Sequence, residues 1–236
     1  MTDQLCRTAW TLFQDIEAAG GVAAALAKGL IQEKVATVRD KRAAAVAHRK
    51  DAVIGATVFP NLAEIDPPVD GPLRSRADLN GKPLAPIRLA QPFEALRDIS
   101  DHEARTRGRR PKIFLANLGT LAEFTARASF AKNFFEAGGI EAIFGEGDAQ
   151  SLGSEFAATG TALACLCSTD AQYEKEAAAV ASSLQTAGAK RIYLAGRPGE
   201  RERAFRSAGV QGFIYEGCDA LATLRNAYDI LGIDIG

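Results

Sequence analysis

The feature that most constrains this sequence is the regular alternation of short apolar strands with helical segments from residue 111 onward. Such alternation calls for a parallel sheet with helices on both of its faces. We therefore predict an α/β fold of the flavodoxin-like type, a five-stranded parallel sheet in the order 2-1-3-4-5. The predicted strands are Lys112–Leu118, Glu141–Phe144, Leu163–Cys167, Arg191–Ala195 and Gly212–Tyr215.

Ligands of an open parallel sheet bind in the loops that follow the carboxyl ends of its strands. A phospho-acceptor receiver would need an acidic cluster in these loops, and a flavin mononucleotide site would need a hydroxyl-rich phosphate loop. The loop after the first strand, TLAEF, meets neither requirement. We therefore predict no catalytic residue and no metal ligand in this cleft. Its candidate lining residues are Gly119, Ser168, Thr169, Gly196 and Gly217.

The segment before the sheet is predicted to be mainly helical. The spacing of its apolar residues predicts helices over Asp3–Ala19, Val22–Ala27 and Ile31–Arg49, and the β-type run Ala52–Phe59 predicts a strand. One strand alone cannot form a sheet. We therefore interpret residues 1–60 as a piece of a larger α/β structure or as an element that docks on another surface.

A proline-rich connector joins this segment to the sheet. Most of the nine prolines lie between Pro60 and Pro92, where they block helix interiors and sheet ladders. A helix is predicted over Phe93–Thr106. The basic run Arg105–Arg110 has enough charge to contact phosphate, although an exposed hinge is the favoured interpretation. The predicted domains are 1–60, a linker over 61–110 and the sheet domain 111–236.

Composition excludes several classes of function. The formal net charge of −1 gives no global attraction to nucleic acid or to an anionic membrane. No apolar run is long enough to span a bilayer, and the start MTDQLCRTAW does not resemble a signal peptide, so we predict a cytoplasmic location. Cys165 and Cys167 are interpreted as buried reduced thiols, because His48 and His102 are far away in the sequence.

Several stretches resemble one known family. The segments RPKIFLANLG, FAKNFFEAGG, ACLCSTD and RIYLAGRPGERERAFRSAGVQGFIYEGCDAL are similar to the cobalamin-binding-type domain of the methylmalonyl-CoA mutase small (beta) subunit. AWTLFQDIEAAGGVAAAL is similar to the last part of the (β/α)8 barrel of the mutase, and PIRLAQPFEALRD to its interdomain linker. The resemblance covers nearly the whole chain. It implies that residues 1–60 are the carboxyl-terminal remnant of the barrel domain.

The chain departs from this family at the residues that bind cobalt. Cobalamin-binding members carry D-x-H-x-x-G after the first strand, where the histidine ligates cobalt and the aspartate orients that histidine. The corresponding residues here are Leu121, Glu123 and Ala126. A carboxylate is a hard oxygen donor, unlike imidazole, and a leucine orients nothing. We therefore expect no cofactor on this chain.

The resemblance implies a catalytically silent subunit, with adenosylcobalamin held by a partner, the large (alpha) subunit. The large subunit would interconvert methylmalonyl-CoA and succinyl-CoA. Two alternatives remain open: a residual cobalamin or small-ligand binding module, and an independent enzyme or regulatory domain. The enzyme would require Glu123 with a raised pKa close to Ser168 or Asp170. A further question is whether the pocket above the first strand is open or is filled by Leu121 and Phe124.

Overall fold

A computed structural model describes residues 1–64, 84 and 87–235 of the chain. They belong to two compact units. The N-terminal unit contains Met1–Ala44, and the sheet unit contains Ala45–Glu64 and Leu89–Gly236. The helices are α1 Thr2–Ala18, α2 Gly21–Lys28, α3 Leu30–Ala47, α4 Gln91–Arg107, α5 Leu121–Glu136, α6 Ala149–Thr159, α7 Asp170–Thr186, α8 Glu202–Ser207 and α9 Ala220–Leu231.

The sheet of the sheet unit has five parallel strands in the order β2-β1-β3-β4-β5, which confirms the predicted fold class. In the register of the sheet, Leu115 lies opposite Phe144 on one side and Cys165 on the other. The strands are β1 Lys112–Asn117, β2 Glu141–Glu146, β3 Leu163–Cys167, β4 Arg191–Ala195 and β5 Gly212–Ile214.

The two faces of the sheet bury separate apolar cores because successive side chains of a strand point to opposite sides. On β1, Ile113 and Leu115 join the core beneath α5 and α9, whereas Phe114 and Ala116 join the core beneath α6 and α7. Cys165 and Cys167 are both buried and unoxidised in the first core, as the sequence indicated. The sheet is therefore covered by helices on both faces, and in such a fold ligands bind at the loops that follow the strand ends.

The N-terminal unit buries little apolar surface by itself. Helix α1 has no buried residue, and the stacked rings of Trp10 and Phe13 are exposed. A hydrogen bond from Lys34 Nζ to Asp15 Oδ2 at 2.9 Å connects α3 to α1. None of the helices in the described residues is long and apolar enough to cross a membrane.

The predicted strand Ala52–Phe59 is wrong. The segment consists of turns with a single isolated bridge between Ile54 and Val58. Gly55 has a φ of +81°, and the hydroxyl of Thr57 accepts a hydrogen bond from the backbone N–H of Val53 at 2.9 Å. These interactions hold the segment in a series of turns. Because it is not a strand, it does not indicate that neighbouring strands are missing. The helix predicted over Phe93–Thr106 is present as α4, whereas most of the predicted connector lies outside the described residues.

Candidate functional site

The candidate site lies at the carboxyl edge of the sheet, where Gly119 follows β1. Gly119 has a φ of +80°, and a Cβ atom added to it would lie 2.5 Å from Glu123 Oε2. The backbone turns sharply at this point, and the side chain of Glu123 occupies the space beside the turn. Only glycine combines this conformation with this close approach.

Glu123 stabilises the start of α5. Its Oε2 accepts hydrogen bonds from the backbone N–H and from the hydroxyl of Thr120, both at 2.8 Å. The bond back to the N-cap N–H is the acidic half of a capping box. The hydrogen bonds from the Thr120 backbone and hydroxyl lower the pKa of Glu123. The interpretation of TLAEF as a loop is therefore wrong, because Leu121–Phe124 form the first turn of α5.

The other two motif positions carry no polar side chain. Leu121 is 68% exposed, and Ala126 is exposed on the next turn of α5. Phe124 is 4% exposed and packs in the core beneath α5. The space beneath α5 is thus filled by Phe124, while Leu121 projects into solvent. Of the two residues that the sequence suggested could fill this pocket, only Phe124 is buried.

The hydroxyl groups of Ser168 and Thr169 serve the backbone. The buried Ser168 donates from Oγ to the carbonyl of Leu118 at 2.7 Å, and Thr169 is the N-cap of α7. The backbone N–H of Ser168 donates to the Tyr173 hydroxyl at 2.8 Å. That hydroxyl also lies 2.9 Å from the Ala195 carbonyl, and burial raises its pKa well above the usual value. Ser168 is therefore not activated as a nucleophile by Glu123.

Arg127 occupies the space between Asp170 and Gly196. Its Nη2 pairs with Asp170 at 2.7 Å, and its guanidinium lies 5.1 Å from the centroid of the Tyr173 ring. A Cβ atom on Gly196 would lie 3.0 Å from Arg127 Nη1. The absence of a side chain at Gly196 therefore leaves room for the guanidinium of Arg127. Gly217, with a φ of +89°, lies in the turn before α9.

Asn117 is a buried polar residue that the sequence analysis missed. It ends β1 opposite Cys167 and Glu146, is 0% exposed, and neither polar atom of its amide has a hydrogen-bond partner within the described residues. An unpaired buried amide destabilises a fold by about 1–3 kcal/mol. The signal was available in the sequence, because KIFLAN places one amide at the end of an apolar strand.

A cavity of roughly 250 Å³ beside the end of β5 is lined by His48 and Arg49, which follow α3. Arg49 Nη2 donates to Asn133 Oδ1 at 2.8 Å, and the guanidinium lies 5.8 Å and 5.7 Å from the ring centroids of Phe130 and Phe134. Burial lowers the pKa of Arg49. The guanidinium is thus used to pack the segment after α3 onto α5.

Burial also raises the pKa of the Cys218 thiol, which lines the same cavity. A thiol with a raised pKa is a weaker nucleophile and a weaker metal ligand at neutral pH, because both roles require the thiolate. Within the described part of the chain, no group of three or more His, Cys, Asp or Glu side chains could hold a metal ion.

Fold and site together define a flavodoxin-like α/β protein whose ligand edge is occupied by helix caps and by its own side chains. Comparison with known proteins gives the family. Residues 1–76 match the family model for methylmalonyl-CoA mutase. The chain is 40% identical to the methylmalonyl-CoA mutase small subunit of Streptomyces virginiae over 235 residues, which is 99% of this chain and 36% of that protein.

Two further relatives carry related names. The probable methylmalonyl-CoA mutase small subunit of Mycobacterium tuberculosis (strain ATCC 25618 / H37Rv) is 41% identical over 83% of this chain and 30% of its own length. The small subunit of Propionibacterium freudenreichii subsp. shermanii is 32% identical over 99% of this chain and 36% of its own length. The chain is homologous to methylmalonyl-CoA mutase small subunits, which confirms the resemblance, and it spans about a third of the length of these relatives.

Proposed function

We propose that this chain acts as a non-catalytic part of a methylmalonyl-CoA mutase small subunit. In this role it supports a large (alpha) subunit that carries adenosylcobalamin and interconverts methylmalonyl-CoA and succinyl-CoA. The names of the relatives and the family match over residues 1–76 support the assignment to a mutase. The silent role rests on one observation, the conversion of the cobalt-motif position into a helix cap.

The residues at this position do not fit cobalamin. A lower cobalt ligand would need a lone pair that is not already used by the protein, and imidazole is the donor that this type of site uses. Here the equivalent side chain is the carboxylate of Glu123, whose Oε2 already accepts two hydrogen bonds from Thr120. Releasing it would remove the cap of α5, and neither Leu121 nor Ala126 supplies a replacement donor. We therefore assign no chemical step to this chain.

The contact with the large subunit is proposed to involve α3. This helix exposes Val35 and Val38, three residues apart and therefore on one face. Exposed apolar side chains on a basic helix are suited to a partner with an apolar and acidic surface. The proline-rich connector is a second candidate for this contact, and most of it lies outside the described residues.

Capture of a cognate large subunit by the immobilised chain tests this function. We expect the wild-type chain to retain the large subunit, and Val35→Asp with Val38→Asp to reduce retention at least tenfold. Thr37→Asp, the control, adds one acidic charge on another face of α3 and should retain the partner. Absence of capture by the wild-type chain would remove the main support for a subunit role.

Small-ligand binding at the carboxyl edge is a second candidate function. The observation that favours it is the unpartnered amide of Asn117 at the end of β1. A ligand that entered above β1 could pair with this amide. This alternative predicts that hydroxocobalamin or another small molecule changes its spectrum when the chain is added, whereas the silent-subunit proposal predicts no change.

A further inference from the structure

The basic run Arg105–Arg110 has no role in the proposed function, and the structure gives it a defined environment. Helix α4 ends at Arg107, and Gly108, with a φ of +72°, turns the backbone so that Arg109 and Arg110 precede β1. The run lies at the amino edge of the sheet, opposite the candidate site. There it borders a cleft of roughly 200 Å³ that also includes Lys190, the residue before β4.

The five cations of this amino-edge cleft differ in whether they have a partner within the protein. Arg110 is committed to the fold, because it pairs with Asp101 and donates to the hydroxyl of Ser100 at 3.1 Å and the carbonyl of Leu62 at 3.0 Å. By contrast, within the described residues the side chains of Arg109 and Lys190 have neither an ion pair nor a hydrogen bond. Two donors from distant parts of the sequence are therefore left for another group.

The two remaining cations of the cleft, Arg107 and Lys112, each have one acidic neighbour. Arg107 pairs with Glu103 at 3.0 Å, but its side chain is 64% exposed. Lys112 Nζ lies 3.9 Å from Glu141 Oε2, which is too long for a hydrogen bond. Each of these two cations and Arg110 thus has an acidic neighbour. The positive charges of Arg109 and Lys190 remain unbalanced within the cleft.

Cations at this edge also have a competing structural explanation. Helices α4, α6 and α9 end here, and the carboxyl end of a helix carries partial negative charge. Arg109 and Lys190 would then stabilise helix ends. However, neither side chain bonds to a carbonyl oxygen within the described part of the chain. The geometry therefore points to an external anion as their partner.

We propose that the amino-edge cleft binds a small phosphate-bearing molecule through Arg109 and Lys190. Charge-assisted hydrogen bonds to two cations suit a phosphate or diphosphate group. Ile230, Leu231 and Ile233 form an apolar wall that can contact an organic substituent. The cleft is smaller than the usual 300–1,000 Å³ of a pocket that encloses a whole ligand, so much of a larger molecule would remain in solvent. A concave site of this size does not suit an extended nucleic acid.

Calorimetric titration of the full chain with inorganic pyrophosphate at low ionic strength tests the proposal. We expect saturable binding to the wild-type chain and an affinity about tenfold lower for Arg109→Gln or Lys190→Gln. The double variant should lose measurable binding. Lys175→Gln is the matched control, because Lys175 is exposed near the start of α7, at the opposite edge. Adenosine diphosphate, as a second probe, shows whether a terminal phosphate on a larger molecule also binds.

Three results would overturn the proposal. The first is the absence of heat with millimolar pyrophosphate, and the second is equal binding by the wild type and the double variant. In the third, a single-stranded oligonucleotide binds tighter than pyrophosphate and competes with it, which would assign the cations to a polymer.

Thermal unfolding of the variants gives an independent control. If the cations only stabilise helix ends, the double variant unfolds at lower temperature and pyrophosphate does not protect the wild type. The test does not depend on the mutase assignment.

Discussion

The two edges of the same sheet use their polar side chains differently. At the carboxyl edge, Glu123 caps α5, Ser168 bonds to a backbone carbonyl and Arg127 pairs with Asp170. At the amino edge, Arg109 and Lys190 have no such bonds within the described residues. The edge where this fold usually binds ligands is thus closed by its own chain. Architecture alone therefore does not locate a site, since the decisive property is which donors and acceptors remain available.

The glycines at the two edges provide the largest expected difference. Gly119→Ala places a methyl group 2.5 Å from Glu123 Oε2 at a φ of +80°, and we expect a loss of about 3 kcal/mol in the free energy of unfolding. Gly160→Ala, at the amino edge, has a φ of +66° but no atom within 4 Å of the new Cβ, so about 1 kcal/mol should be lost. Denaturant titration compares the two. Equal losses would mean that the carboxyl edge is not closely packed.

The Tyr173 hydroxyl provides the second test of the closed edge. Tyr173→Phe leaves the Ser168 N–H and the carbonyls of Leu166 and Ala195 without this partner, and should cost about 2 kcal/mol of unfolding free energy. Tyr215→Phe, in the segment after β5, is the control, because within the described residues its hydroxyl makes no hydrogen bond; we expect less than about 0.5 kcal/mol. A neutral Tyr173→Phe would show that the network contributes nothing.

Substitution of Asn117 tests whether its buried amide has a partner in solution. Asn117→Leu removes an unpartnered buried amide and should raise stability by about 1 kcal/mol, or about 2–4 °C in Tm. Asn133→Leu should do the opposite, since Asn133 Oδ1 accepts from Arg49 and from the Phe59 N–H. Thermal unfolding distinguishes them. If Asn117→Leu instead lowers Tm, the amide has a partner in solution.

The cap at Glu123 predicts a small effect that depends on pH. Its pKa is lowered by the hydrogen bonds from Thr120, so the ionised carboxylate stabilises the fold above its unfolded pKa of about 4.3. This contribution is lost as pH falls through the lower pKa of the folded state. Glu123→Gln should therefore be less stable than the wild type at pH 7, and the difference should close in acid. A difference that is constant from pH 7 to pH 2 would exclude a charged cap.

The strand order could be predicted because five apolar runs and their helices leave few parallel arrangements. The error at TLAEF was avoidable, since Thr120 and Glu123 have the spacing of a capping box. The error at Ala52–Phe59 arose because β propensity depends on packing against neighbouring strands, and this segment has no such neighbours among the described residues. The proximity of Lys190 to Arg109 could not be predicted, because it depends on which strand ends lie beside each other. That the residues at the carboxyl edge are a degenerate cobalamin site stays a prediction.

The carboxyl edge is proposed to offer no ligand for cobalt, and titration of hydroxocobalamin with the chain tests this proposal most directly. Free imidazole serves as the control for nitrogen ligation, because it changes the visible spectrum without protein. Because the Glu123 carboxylate is bonded to Thr120, we predict that the spectrum stays unchanged even with the chain in large excess over hydroxocobalamin. A saturable spectral change that matches the imidazole control would contradict the account.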